Sequence, residues 1–283
     1  MRMRRDETYA TSPWPRAGIV GGMQNVSRAP DQLRPVTITR NFTQMPGGSV
    51  LWQQGNTVVW CTASISQELP PWFPEDRAGG WITAEYVMLP PSTPQRKSWP
   101  KIGHTDSRGT EIQRIVGRSL RAIIDLSKIG PHTIALDCQV LQADGGTRTA
   151  AICGGYVALA DALAKLPKEL PPPRKPIPAG APIPARYDPK FYDPAKALID
   201  ELAAVSVGVV EGRAYLDLDY PLDSKAQVDL NVACTARGKF VEVQGSAENG
   251  EGFDRATMNG LLDLAVKGCE ALMGQMREGS SLV

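Results

Sequence analysis

The stretch from Thr133 to Ala162, TIALDCQVLQADGGTRTAAICGGYVALADA, constrains this chain more than any other. Ile134, Leu136, Cys138 and Val140 share one face of a strand, and Asp137, Gln139 and Leu141 take the other. Gly145 and Gly146 then turn the chain, and a helix follows at once, with Ile152, Tyr156, Leu159 and Leu163 as its packing residues. Such a turn gathers unpaired backbone N–H groups, the Thr147 hydroxyl and the Arg148 guanidinium around one point at a helix N-terminus. That is a ready anion site.

The bulk composition identifies no anion. Lys and Arg nearly cancel Asp and Glu, leaving net +1, so any basic surface must be local. The hydrophobic content of 42% is enough for a sizeable core. The five cysteines, at 61, 138, 153, 234 and 269, are odd in number and widely spaced, with only His104 and His132 beside them. They read as reduced core thiols in a cytoplasmic protein, and no structural zinc is expected. No run of about 18 apolar residues occurs, and neither a membrane span nor a secretory signal is expected.

Before the central stretch, residues 1–26 lack apolar periodicity and predict a mobile tail. From Arg34 a period-two pattern predicts a meander, with SVLWQQ and NTVVWCTASIS as strands around the Gln54-Gly55 turn. GWITAEYVMLP predicts a further strand, and the segment after it, up to Arg108, a long loop. An apolar stripe of Ile112, Ile115, Val116, Leu120, Ile123 and Ile124 predicts a helix over 110–129, stopped by Gly130-Pro131. Arg114, Arg118 and Arg121 lie off that stripe, as a solvated face or as a stripe facing a partner or phosphate.

After the central stretch, a proline-dense segment at about 166–194 predicts an extended surface insertion. AKALIDELAA predicts a short helix; AVSVGVV, AYLDLDY, AQVDLNVACTA and KFVEVQGSAE predict strands; and 254–277 predicts a final helix. Asp217 and Asp219 are expected to alternate outward from a strand, with Asp223 in the next turn and Asp229 and Asn231 on one face of the following strand. These carboxylates suit Mg²⁺, or they are ordinary turn and edge-strand acids. A phosphate held by arginines beside a carboxylate-bound metal would describe phosphoryl transfer.

Several of these segments, in order, resemble ribonuclease PH, the phosphate-dependent exoribonuclease family that trims tRNA 3′ ends. They are SRAPDQLRPV, GWITAEYVMLP, TEIQRIVGRSLRAIIDL, LDCQVLQADGGTRTA, AAVSVGVV, LDLDYPLDSKAQVDLN and FVEVQGSAE. The resemblance implies one α+β domain over 27–283, similar to the second domain of ribosomal protein S5, with mixed, mostly antiparallel sheets. It also implies a hexameric ring built as a trimer of dimers. On the matching positions, Arg108 and the loop Gly146, Thr147 and Arg148 would bind inorganic phosphate, the co-substrate. Asp223 and Asp229 would bind Mg²⁺ or serve as general acid, and Arg96 and Arg114 would contact RNA. The partners implied are RNA 3′ ends and tRNA precursors.

The chain also departs from the family pattern. Pro91 and Trp99 stand where arginines are usual, Gln139 replaces an aspartate, and Leu222 replaces a glutamate. These changes leave a second reading beside the enzyme: a catalytically weakened, ring-forming scaffold or RNA-binding subunit.

Overall fold

The computed structural model describes residues 28–99, 106–173, 176–178, 180–248 and 252–278. The tail expected at 1–26 lies outside the described residues. The expected meander forms β1 (Val36–Arg40), β2 (Gly48–Gln54) and β3 (Thr57–Ser66), with Gly55 at φ 57° between the last two. Strands β4 (Trp81–Met88) and β5 (Thr133–Gln142) complete a five-stranded sheet in the order β1-β2-β3-β5-β4. Only β4 and β5 pair in parallel within it. A parallel pair needs a crossover, which helix α1 (Ser107–Arg121) supplies.

Helix α1 corrects the expected span of 110–129 at both ends. Asp106 accepts a hydrogen bond from the Gly109 N–H at 3.1 Å, and this N-cap starts the helix earlier. Beyond Arg121 the chain peels away. Ile124 bridges to Leu198, the Asp125 N–H donates to the Ala197 carbonyl at 2.8 Å, and Asp125 caps a 3-10 turn at Leu126–Lys128. Ile123 and Ile124 are buried all the same, by this turn rather than by a helix face.

The second sheet, β7-β6-β8-β9, is antiparallel throughout. Its strands are β6 (Leu202–Val210), β7 (Arg213–Leu216), β8 (Val228–Thr235) and β9 (Phe240–Ala247). Two sequence expectations fail here. The short helix in AKALIDELAA is replaced by a 3-10 turn at Pro194–Lys196, and its last residues enter β6. The strand expected in AYLDLDY ends at Leu216, because Asp217 takes a left-handed conformation at φ 58°. Asp219 then caps the short helix α3 (Tyr220–Asp223), accepting from the Leu222 N–H at 3.1 Å. The final helix, α4 (Arg255–Glu278), packs on β6 and β8.

Helix α2 (Thr147–Ala164) lies between the two sheets, packing on β2 and β3 and also on β6. The sequence suggested one packing face, but the helix is buried on nearly every side. Consecutive residues show both contacts. The Cys153 thiol donates to the Ala204 carbonyl of β6 at 3.3 Å, while a Cβ on Gly154 would lie 2.8 Å from Cys61 Sγ of β3. All five cysteines are buried and free. The α+β architecture of mixed, mostly antiparallel sheets with helices is therefore as expected.

Between α2 and β6, three 3-10 turns, at Ala185–Tyr187, Pro189–Phe191 and Pro194–Lys196, are the helical elements among the described residues. Tyr192 anchors the segment: its hydroxyl donates to the Pro167 carbonyl at 2.5 Å, and its ring centroid lies 6.3 Å from that of His132. Among the described residues no helix is long and apolar enough to cross a membrane.

Helix α2 and the first sheet approach closely at Gly48, where a Cβ would meet the Ala158 carbonyl oxygen at 1.9 Å. Gly48→Ala must therefore push the helix off the sheet, a loss of about 1–3 kcal/mol. A lower urea midpoint with an unchanged denaturant slope is the expected result; an unchanged midpoint would show that the interface yields freely.

Candidate active site

The turn after β5 is held from several elements. Gly145 and Gly146 adopt φ 73° and 65°, and a Cβ on Gly145 would fall 2.4 Å from the Leu218 carbonyl oxygen, so glycine is required there on both counts. The Thr57 hydroxyl donates to the Gly145 carbonyl at 2.6 Å and accepts from the Asp144 N–H at 3.1 Å. Asn56 Nδ2 donates to Asp144 Oδ2 at 3.1 Å, and the Tyr220 N–H to Asp144 Oδ1 at 3.3 Å. Helix α2 begins with no side-chain cap, and Ala150 N–H to Gly146 carbonyl, at 2.9 Å, is its first internal bond. The N–H groups before Ala150 have no acceptor within the helix and are available to an anion. The buried Tyr86 hydroxyl donates to Thr147 Oγ1 at 2.8 Å and fixes that side chain.

Beneath the turn lies a buried ion pair that ties the two sheets together. Arg34, two residues before β1, donates from Nε to Asp217 Oδ2 at 3.0 Å and from Nη2 to Oδ1 at 2.6 Å. Its Nη1 donates to the Asp144 carbonyl at 2.6 Å. Burial alone would raise the Asp217 carboxyl, but the hydrogen bonds and charge of Arg34 outweigh it and hold the group below its ordinary value of 3.8. The Arg34 guanidinium is raised in turn, Asp217 outweighing its burial.

In front of the turn opens a cleft of about 590 Å³, lined by Arg108 and Glu111 of α1, Arg148 of α2, Asp223, and Asp229 and Asn231 of β8, with Gln244 and Glu248 on its far side. Arg148 Nη1 donates to Gln244 Oε1, and Gln244 Nε2 donates to Glu111 Oε1. Asp229 is the most perturbed carboxyl here: burial, then the charge of Asp223, push it up to about 6 against the pull of Arg148 and a 3.3 Å bond from Asn231. Its Oδ1 is buried with no hydrogen-bond partner. Burial also raises Asp223, although the Arg108 charge opposes it.

Comparison with known proteins fits this geometry. The 3′ exoribonuclease family models match in two parts, domain 1 over residues 32–165 and domain 2 over 200–268. Ribonuclease PH of Nocardia farcinica is 50% identical over 256 residues, covering 90% of this chain and 91% of that protein. Ribonuclease PH of Corynebacterium glutamicum is 48% identical, covering 88% and 93%. This chain belongs to the ribonuclease PH family. In fold it is similar to rice Rrp46, with a TM-score of 0.65 at 18% identity over 89% of this chain and 97% of that one. The Archaeoglobus fulgidus exosome with RNA bound to the active site gives 0.65 at 21% identity, over 88% and 90%. The segment 166–199, which contains the proline-dense stretch, falls between the two matched parts.

Of the residues that the ribonuclease PH resemblance singled out, Arg108, Arg148, Asp223 and Asp229 line one cleft, with Gly146 and Thr147 forming the turn behind Arg148. Arg114 lies in an adjoining groove of about 450 Å³ that shares Glu111 and Gln244 with the cleft. Arg96 is exposed beyond the 3-10 turn Pro90–Ser92 and does not line the cleft. The arginine row divides. Arg118 pairs with Glu242 at 2.8 Å, and Arg121 stacks on Trp81 at 4.7 Å, so neither is a purely solvated residue.

Asp217 and Asp219 are not outward strand acids: one is the buried partner of Arg34 and the other a helix cap. Pro91 and Trp99 are exposed, and Gln139 sits on the sheet face opposite the core, level with Trp60 and Val87. None of these three lines the cleft. Leu222 packs with Val210, Leu218 and Ala226. Sequence reasoning gave no role to Arg34, Tyr86, Glu111 or Gln244, although all four stand in segments that resemble the family.

The Arg34–Asp217 pair yields a signed pH prediction. A carboxyl depressed on folding stabilises the protein above its unfolded pKa, and that contribution is lost as pH falls through the lower folded value. Asp217→Asn should therefore be less stable than wild type at pH 7, and the gap should narrow as pH falls below 3.8. Arg34→Met, which strands a buried carboxylate, should cost about 3–5 kcal/mol at pH 7. Denaturation curves across this range provide the check; a gap independent of pH would remove the ion pair from the account.

Proposed function

We propose that this chain is a phosphate-dependent 3′→5′ exoribonuclease that shortens RNA from its 3′ end and releases nucleoside diphosphates. The observation that carries the reading is the convergence of Arg108, Arg148 and the uncapped N-terminus of α2 on one cleft with Asp223 and Asp229. Inorganic phosphate held by the arginines and N–H groups places an oxygen for in-line attack on the terminal phosphodiester. The new P–O bond forms as the bond to the 3′ oxygen breaks; the nucleotide leaves as a diphosphate, and the shortened RNA keeps a 3′ hydroxyl. Positioning and charge neutralisation supply most of the catalysis in such a reaction.

The acidic side of the cleft suits Mg²⁺. Among the described residues no group of three or more His, Cys, Asp or Glu side chains gathers to hold a metal. Of the carboxylates that line the cleft, Asp223 and Asp229 are the candidate pair, and Asp229 keeps a buried, unpartnered oxygen. That matches an ion that binds through one or two carboxylates and keeps several waters. Asp223 and Asp229 would hold it, and when bound it supplies positive charge against the phosphates. The same pair is the candidate proton donor to the departing 3′ oxygen. We further propose tRNA precursors as substrate, a hexameric ring and a cytoplasmic location, supported by the family resemblance and, for the location, by five buried free thiols. The scaffold alternative has less support, because Pro91, Trp99 and Gln139 all lie outside the cleft.

Incubation with a 3′-extended RNA, Mg²⁺ and inorganic phosphate should release nucleoside diphosphates, identified by chromatography. Nucleoside monophosphates, or no product, would overturn the assignment. Arg148→Ala should lower kcat/KM by about 100-fold or more, as expected for loss of a preorganised charged donor; wild-type rates would exclude that residue from the site.

A further inference from the structure

The cleft contains a side-chain chain of which the reaction as proposed uses only Arg148. Arg148 Nη1 donates to Gln244 Oε1, Gln244 Nε2 donates to Glu111 Oε1, and Glu111 Oε1 is 3.8 Å from Arg148 Nη1. Three elements meet there: α2 brings the arginine, α1 the glutamate and β9 the amide. Gln244 is pinned by strand register, opposite Asn231, which itself donates to Asp229. Arg148 is 18% exposed and Glu111 47% exposed, so the arginine is held inside the cleft while the carboxylate reaches in from its rim.

We propose that Gln244 is a positioning residue for phosphate, acting through Arg148. This rests on the phosphorolytic reading above. A neutral amide can aim a guanidinium without cancelling its charge, whereas a carboxylate in its place would neutralise it and compete with an incoming anion. The Gln244 amide satisfies both neighbours: its oxygen takes one N–H of Arg148, and its nitrogen engages Glu111. Engaged in this way, Glu111 stands in a loose ion pair 3.8 Å from the arginine instead of closing to hydrogen-bonding distance. An arginine has five N–H donors, so its remaining donors can serve phosphate.

Two measurements test the assignment: phosphate KM and kcat in RNA phosphorolysis, and direct binding of inorganic phosphate by calorimetry, which needs no turnover. Gln244→Glu should weaken phosphate binding at least tenfold by both measures while changing the KM for RNA less than twofold. Gln244→Leu releases Glu111 to tighten its 3.8 Å ion pair with Arg148 into a hydrogen-bonded one and should weaken phosphate several-fold. Adding Glu111→Gln to Gln244→Leu should restore most of that loss, which a merely structural role for Gln244 would not produce. Phosphate affinity within twofold of wild type in both single variants would overturn the inference. So would a fall in kcat at unchanged phosphate KM, or a double variant no better than Gln244→Leu. Wild-type protein that binds phosphate but releases no nucleoside diphosphate would sink the phosphorolytic reading, while the calorimetric comparison would still decide the role of Gln244. Melting midpoints confirm that each variant is folded.

Discussion

The turn at Gly145 and Gly146 is tied to both sheets by one buried guanidinium. Arg34 enters from the first sheet, Asp217 from the end of β7 in the second, and the Asp144 carbonyl of the turn takes a third bond from the same side chain. A buried ion pair is weak evidence for stability in itself, since desolvation offsets much of the attraction. Here its value is geometric. The bidentate bond joins the start of β1 to the end of β7 directly beneath the turn, and the left-handed backbone at Asp217 turns the chain into the helix carrying Asp223.

Helix α2 transmits that order. Its first turn carries Arg148 into the cleft, and its body is clamped between the sheets through glycines on one side and the Cys153 thiol on the other. A helix buried all round cannot be recognised by an amphipathic stripe. The glycines at this interface have a plain reason: Gly48 of β2 packs on the Ala158 backbone and Gly154 of α2 packs on Cys61 Sγ of β3, and a Cβ at either position has no room. Rigid support on both faces keeps the N–H groups of the first turn preorganised, which is what an electrostatic site requires.

The departures from the family pattern fall away from the chemistry. Leu222 joins a small apolar cluster with Val210, Leu218 and Ala226, so a charged side chain there has been exchanged for packing. Gln139 lies on the outer face of the first sheet, and Pro91 and Trp99 lie at the surface beyond β4. Pro91, Trp99 and Gln139 thus leave the lining of the cleft, with Arg108, Arg148, Asp223 and Asp229, untouched.

Local patterns in the sequence were sufficient for much of this. Period-two alternation gave β2, β3 and β5, the two glycines gave the turn with a helix starting at Thr147, and the spacing of Asp229 and Asn231 put both on one strand face, because each of these depends on neighbours a few residues apart. Helix ends were less legible: α1 stops at Arg121 because Ile124 and Asp125 bond to residues near 198, contacts invisible at close range. The roles of Asp217, Glu111 and Gln244 were illegible for the same reason. An aspartate in AYLDLDY looks like a solvent-facing strand acid until Arg34, 183 positions away, is folded against it. The sequence by itself determined most of the strands and the glycine turn that starts helix α2. Only the tertiary structure decided which charges face each other across the cleft, since electrostatic partners are chosen by distance in space and by burial, and neither is written along the chain.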